Sequence, residues 1–208
     1  MRYSLETIFT FVLLGSTTAS PGPLRLPQIT YPSNVGCGEV NVFYTGLPAY
    51  HPYVIAQHYD PVDVDKELRN DTAALVKAGF NVYVLFQGPD QPITNIADRM
   101  NGIHWGVTGV GFGQRGATIL DVVTRFEGIY CYNLHQFREN APLTPTVFNW
   151  GPTTLAASVI RHVPLKEDCS NKPGQLIAYE EACPLELCEK VTVVTSGSLE
   201  ELLKGIEN

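Results

Sequence analysis

Apolar residues recur along this chain in two rhythms, and the switching between them is the main structural signal. β-Branched and aromatic residues over 39–45 predict a strand that stops at Gly46-Leu47-Pro48. From Asp63, read as an N-cap, Leu68, Ala73, Leu75 and Val76 keep helical spacing up to Gly79. The run 81–86 is almost continuously apolar, as in a strand covered on both faces, and it ends at Gln87-Gly88-Pro89-Asp90. A short helix is expected between Pro92 and Met100, a third strand over 105–110, and a long helix over 118–140 that Ala141-Pro142 ends. A fourth strand, 146–149, turns through Trp150-Gly151-Pro152 into a helix over 153–162. Two more strands, 175–179 and 191–195, flank the 183–188 loop, and Ser198-Leu199-Glu200-Glu201 is a capping box that opens a last short helix.

Four successive strand-helix alternations predict a mostly parallel sheet with helices on both faces. The expected class is α/β, a Rossmann-like or flavodoxin-like three-layer sandwich with a disulfide-bearing C-terminal extension. Of 208 residues, 44% are hydrophobic and 17% charged, enough apolar material for one core. Eighteen Gly and fifteen Pro fit many strand-to-helix turns and disfavour a helical bundle. One domain is expected over 37–208, with its core at 39–162 and a Cys-containing tail at 163–208, after an extended Pro-rich lead-in at 20–36.

The first residues change the address. A basic tip at Arg2, a short apolar run over 7–15 and small residues up to Ala19 read as a cleaved signal peptide, 1–19, and predict a secreted, soluble protein. The formal net charge of −7 disfavours phosphate backbones and anionic lipid surfaces as partners. In an oxidising compartment the five cysteines become bridges plus one. Cys131, inside an apolar-periodic stretch, reads as the buried free thiol, leaving Cys37, Cys169, Cys183 and Cys188 for two disulfides with three pairings open. Cys183-x4-Cys188 without a second close pair is a poor zinc pattern. Asn70-Asp71-Thr72 is an N-glycosylation sequon.

Ligands of open parallel sheets bind beyond the carboxyl ends of the strands. Here those ends are Thr45-Gly46, Gln87, the segment Gly111, Gly113, Arg115, Gly116, and Asn149-Trp150. Glycines after a strand and before a helix let backbone N–H groups approach an anion, and Arg115 adds a two-pronged donor. Gln87, Asn149 and Trp150 could orient a polar ligand. A dinucleotide reading is weakened because the glycines follow the third strand and Asn149 stands where an acidic residue belongs. His51, His58 and Asp60 share one loop but match no metal signature, and His104, His135 and His162 read as surface or helix-end residues. No Gly-x-Ser-x-Gly, His-Glu-x-x-His or P-loop pattern occurs.

Five pieces within 63–161 carry a resemblance: 78–82, 86–91, 109–116, Ala141-Pro142 and Phe148-Asn149. This half of the chain resembles a group of small uncharacterised Rossmann-like α/β proteins of bacteria and fungi, here in a secreted form. The resemblance implies the fold and the importance of the Arg115 and Asn149 loops, and no reaction. The leading expectation is a secreted protein that binds an anionic or carboxylate small molecule, or a non-hydrolytic enzyme, with Arg115 holding the anion. Two alternatives stand beside it. One is a non-catalytic interaction module presenting the 49–61 loop with Tyr50, Tyr53 and Tyr59. The other is a nucleotide-dependent oxidoreductase, although nothing in the sequence requires a cofactor.

Overall fold

The computed structural model describes residues 28–130 and 135–204. The expected signal peptide and Cys131 therefore lie outside the described residues. In chain order the elements are β1 (Asn41–Gly46), α1 (Pro52–Ala56), α2 (Pro61–Lys77), β2 (Asn81–Gln87), α3 (Asn95–Met100), β3 (Val107–Val110) and α4 (Phe112–Arg115). They continue with α5 (Leu120–Tyr130), α6 (His135–Asn140), β4 (Thr146–Phe148), α7 (Leu155–His162), β5 (Leu176–Ala182), β6 (Val193–Thr195) and α8 (Leu199–Leu203).

The six strands among the described residues form one sheet in the order β4-β3-β1-β2-β5-β6. The first five are parallel and β6 runs antiparallel to β5. Alternation along the strands sends side chains into two cores. Val42, Tyr44, Val82, Val84 and Val147 pack with Leu68 and Leu75 of α2, Leu155 and Val159 of α7 and Leu202 of α8. Phe43, Tyr83, Leu85 and Val110 pack with Ile96 and Met100 of α3, Ile129 of α5 and Phe137 of α6. Steps towards β5 thus run over the face that holds α2 and α7, and steps towards β4 run over the face that holds α3 and α6. All four crossovers share one hand, as a twisted parallel sheet requires.

Local chemistry sets the boundaries. The helix predicted from Asp63 begins at Pro61, because the Asp60 side chain accepts from the N–H groups of Val62 and Asp63 and Pro61 has no N–H to lose. It ends before Gly79, whose φ of +101° favours glycine, and a Cβ there would meet Cys169 Sγ at 2.6 Å. Where the periodicity predicts one helix over 118–140, α5 and α6 occupy its two ends, and 131–134 lie outside the described residues. The Ser198 cap holds as predicted, with Oγ accepting from Glu201 N–H at 3.1 Å.

The open cysteine pairing resolves as Cys37–Cys169 and Cys183–Cys188. The first ties the stretch before β1 to the stretch before β5, and the second closes a short loop after β5.

Candidate functional site

The strand ends singled out by the sequence lie on one edge, and the single turn of α4 knits them together. Gly111 N–H donates to Thr45 O at the end of β1 (2.8 Å), and Gln114 Nε2 donates to Gln87 O at the end of β2 (3.1 Å). Phe112 N–H donates to Asn149 Oδ1 beyond β4 (2.7 Å), while Asn149 Nδ2 donates to Gly151 O (2.7 Å). Asn149 is thus buried as a brace. The amides of residues 114, 115 and 116 close the turn internally, and Gln57 Nε2 donates to Gly113 O. The glycine segment is a hydrogen-bonded helical turn, so its amides offer a phosphate little.

Arg115 is exposed, donates from Nη2 to Asn149 O at 3.1 Å and lies over the rings of Phe112 and Phe148. Trp150 is 53% exposed and carries Arg161 over its ring, and the buried side-chain amide of Gln87 takes no hydrogen bond among the described residues. A small apolar cavity of about 60 Å³ lies among Tyr44, Val54, Leu68, Phe86, Gly111 and Asn149. It has room for little more than water.

A larger groove, about 750 Å³, opens on the same edge between the loops after β1 and β2 and the first turns of α5. His51, Tyr53, Asp90, Asp121, Thr124 and Arg125 supply its polar groups. The spacing 121, 124, 125 puts three of them on one face of α5. His51 is buried and caps α1 by accepting Tyr53 N–H at Nδ1 (3.1 Å), which places the ring hydrogen on Nε2, 3.1 Å from Asp90 Oδ1. A Cβ at Gly88 would overlap both members of this pair. Asp90 Oδ2 also accepts from Gln91 Nε2 (2.8 Å), and Asp121 Oδ2 accepts from Tyr53 OH (2.7 Å).

Arg125 is the group without a match. Only 7% exposed, it donates from Nη1 to Gln91 O, while Nε and Nη2 are buried with no hydrogen-bond partner among the described residues. Burial pushes its guanidinium down to about 10, opposed by Asp90, so it stays charged at neutral pH. A buried cation short of partners is costly, and an anion entering the groove relieves that cost.

A second charged cluster holds the tail. Arg69 and Asp65 form a buried pair at 2.6 Å, Arg69 reaches Leu202 O and Thr192 Oγ1, and Lys190 lies 3.4 Å from Asp65. Glu181 Oε2 accepts Thr192 N–H at 2.6 Å beside them, and the Ala49 amide also favours its charged form.

The histidine loop divides. Asp60 caps α2, His58 is exposed with a φ of +67°, and among the described residues no three acidic, His or Cys side chains cluster to hold a metal. His104 is exposed, His162 stacks on Tyr31 at 4.8 Å, and the His135 side chain lies outside the described residues. Asn70 is exposed on α2, whereas Thr72 is buried and donates to Leu68 O.

Sequence reasoning missed Asp90 and Arg125. Asp90 pairs with a histidine 39 positions away, a contact that no local pattern announces. Arg125 did leave a signal: it sits three residues after Val122 and four before Ile129, at a core-facing position of an amphipathic helix where a charge is out of place. No family model, no curated protein and no solved structure matches the chain.

Proposed function

We propose that this chain is a secreted small-molecule-binding protein. Its Rossmann-like, three-layer α/β domain takes an anionic, carboxylate-bearing ligand in the groove at the carboxyl edge of the sheet, with Arg125 as the counter-charge. One observation carries the reading: a buried guanidinium with two donors unpartnered among the described residues lines a groove of about 750 Å³. On binding, the guanidinium turns those donors to the carboxylate in the planar two-pronged geometry that arginine favours. His51 and Asp90 hold each other and the turns around them, which favours binding over acid–base catalysis. Arg115 is already engaged by Asn149 O and two rings, and it serves as the comparison residue. Two disulfides, and no helix among the described residues long and apolar enough to cross a membrane, are consistent with an extracellular protein.

The test is ligand-dependent thermal shift over a panel of carboxylates and inorganic anions on wild type, Arg125→Gln and Arg115→Ala. At a hundredfold excess over Kd the expected rise in Tm is roughly 5–10 °C in wild type and Arg115→Ala. It should vanish in Arg125→Gln. A rise lost in Arg115→Ala and kept in Arg125→Gln moves the site to the α4 turn, and no rise with any anion in wild type overturns the reading.

A further inference from the structure

The groove is apolar around its charge, and its exposed surface is of an unusual kind. Leu120 is 76% exposed and Leu187 36% exposed, and both line the groove with Ile93 between the polar groups. Exposed leucines are unremarkable singly, but two of them on one groove form a surface that gains from being covered. Each is held in place. Leu120 is the first residue of α5, five positions before Arg125 and so about 7 Å along the helix axis from it. Leu187 sits in the turn closed by Cys183–Cys188, where its N–H donates to Pro184 O at 2.9 Å.

Charge narrows the occupant further. Asp90 and Asp121 line the same groove as Arg125. Each is held by hydrogen bonds, Asp90 by His51 and Gln91 and Asp121 by the Tyr53 hydroxyl, and Asp90 also favours the charge on Arg125. One negative charge on a ligand finds Arg125, while a second would lie among two carboxylates on a protein of net charge −7. Phosphates, nucleotides and dicarboxylates fit this arrangement poorly.

We infer that the ligand is an amphiphilic monocarboxylate, its single carboxylate at Arg125 and an aliphatic tail lying against Ile93, Leu120 and Leu187. The inference rests on the Arg125 reading of the groove and adds the tail and the limit of one charge. The Cys183–Cys188 turn thereby gains a role, because it presents Leu187 as one wall of the tail channel.

Titration calorimetry with acetate, butyrate, hexanoate and octanoate, and with succinate and phosphate, tests it on wild type, Leu120→Ser/Leu187→Ser and Arg125→Gln. Both leucines are partly or largely solvent-exposed, so the double variant should keep its fold, which a thermal melt confirms. In wild type, affinity should rise by up to about fourfold per methylene beyond butyrate, as burial of CH2 groups predicts. The double variant should flatten that rise to under a tenth of its wild-type span while its acetate affinity stays within twofold. Succinate and phosphate should bind more weakly than hexanoate. Chain-length independence, or tighter binding of succinate or phosphate, overturns the amphiphile inference, and if that binding still needs Arg125 the anion site itself stands. Absence of binding by every compound overturns both.

Discussion

At Glu181 two requirements oppose each other: the alternation of β5 turns the side chain inward, and a carboxylate favours water. Burial, then Asp65, push its carboxyl up to about 7, against the help of the Thr192 amide and Arg69. The folded value lies above the ordinary 4.5, so the folded chain holds an extra proton between the two. The stabilising contribution is complete below about 4.5 and lost as pH rises through about 7, a change of roughly 3 kcal/mol. Glu181→Gln removes the titration while keeping an acceptor for Thr192 N–H. Wild-type Tm should fall from pH 5 to pH 8 more steeply than that of Glu181→Gln, and parallel profiles would contradict the assignment. His51 differs from Glu181 in having both ring nitrogens satisfied within the protein.

Among elements, α4 is short and yet holds three strand ends together. Its position depends on Asn149, which is 2% exposed and bridges Phe112 N–H and Gly151 O. Asn149→Ala takes the acceptor from the Phe112 N–H, while Gly151 O keeps its bonds from Thr154, with an expected loss of about 2 kcal/mol in urea unfolding. A loss under about 0.5 kcal/mol would show that the turn stands without this brace. Elements of this kind were the least legible in the sequence. β2 and α2 could be read because burial marks seven and seventeen consecutive residues. A one-turn helix such as α4 or α1 is too short to display a period, and its glycines read equally well as an open loop. The sheet edge could be located because parallel alternation fixes it. Which arginine on that edge lacked a partner depended on packing: Arg115 finds Asn149 O and two rings, and Arg125 finds one carbonyl.

Over the whole molecule, the parallel order brings the turns after β1 and β2 beside α5, and the tail completes the groove from outside the central strands. The Cys37–Cys169 bridge spans 132 residues, and constraining so long a loop in the unfolded chain stabilises by about 5 kcal/mol in the chain-entropy account. At the proposed site a buried guanidinium, favoured by Asp90 but short of hydrogen-bond acceptors among the described residues, stands at the edge of this frame. Its most direct measurement is the NMR resonance of each arginine Nε–H during titration of the folded protein with hexanoate. Arg125 should shift saturably and gain protection from solvent exchange while Arg115 stays unmoved. A shift at Arg115 with Arg125 silent, or no shift at either, would contradict the account.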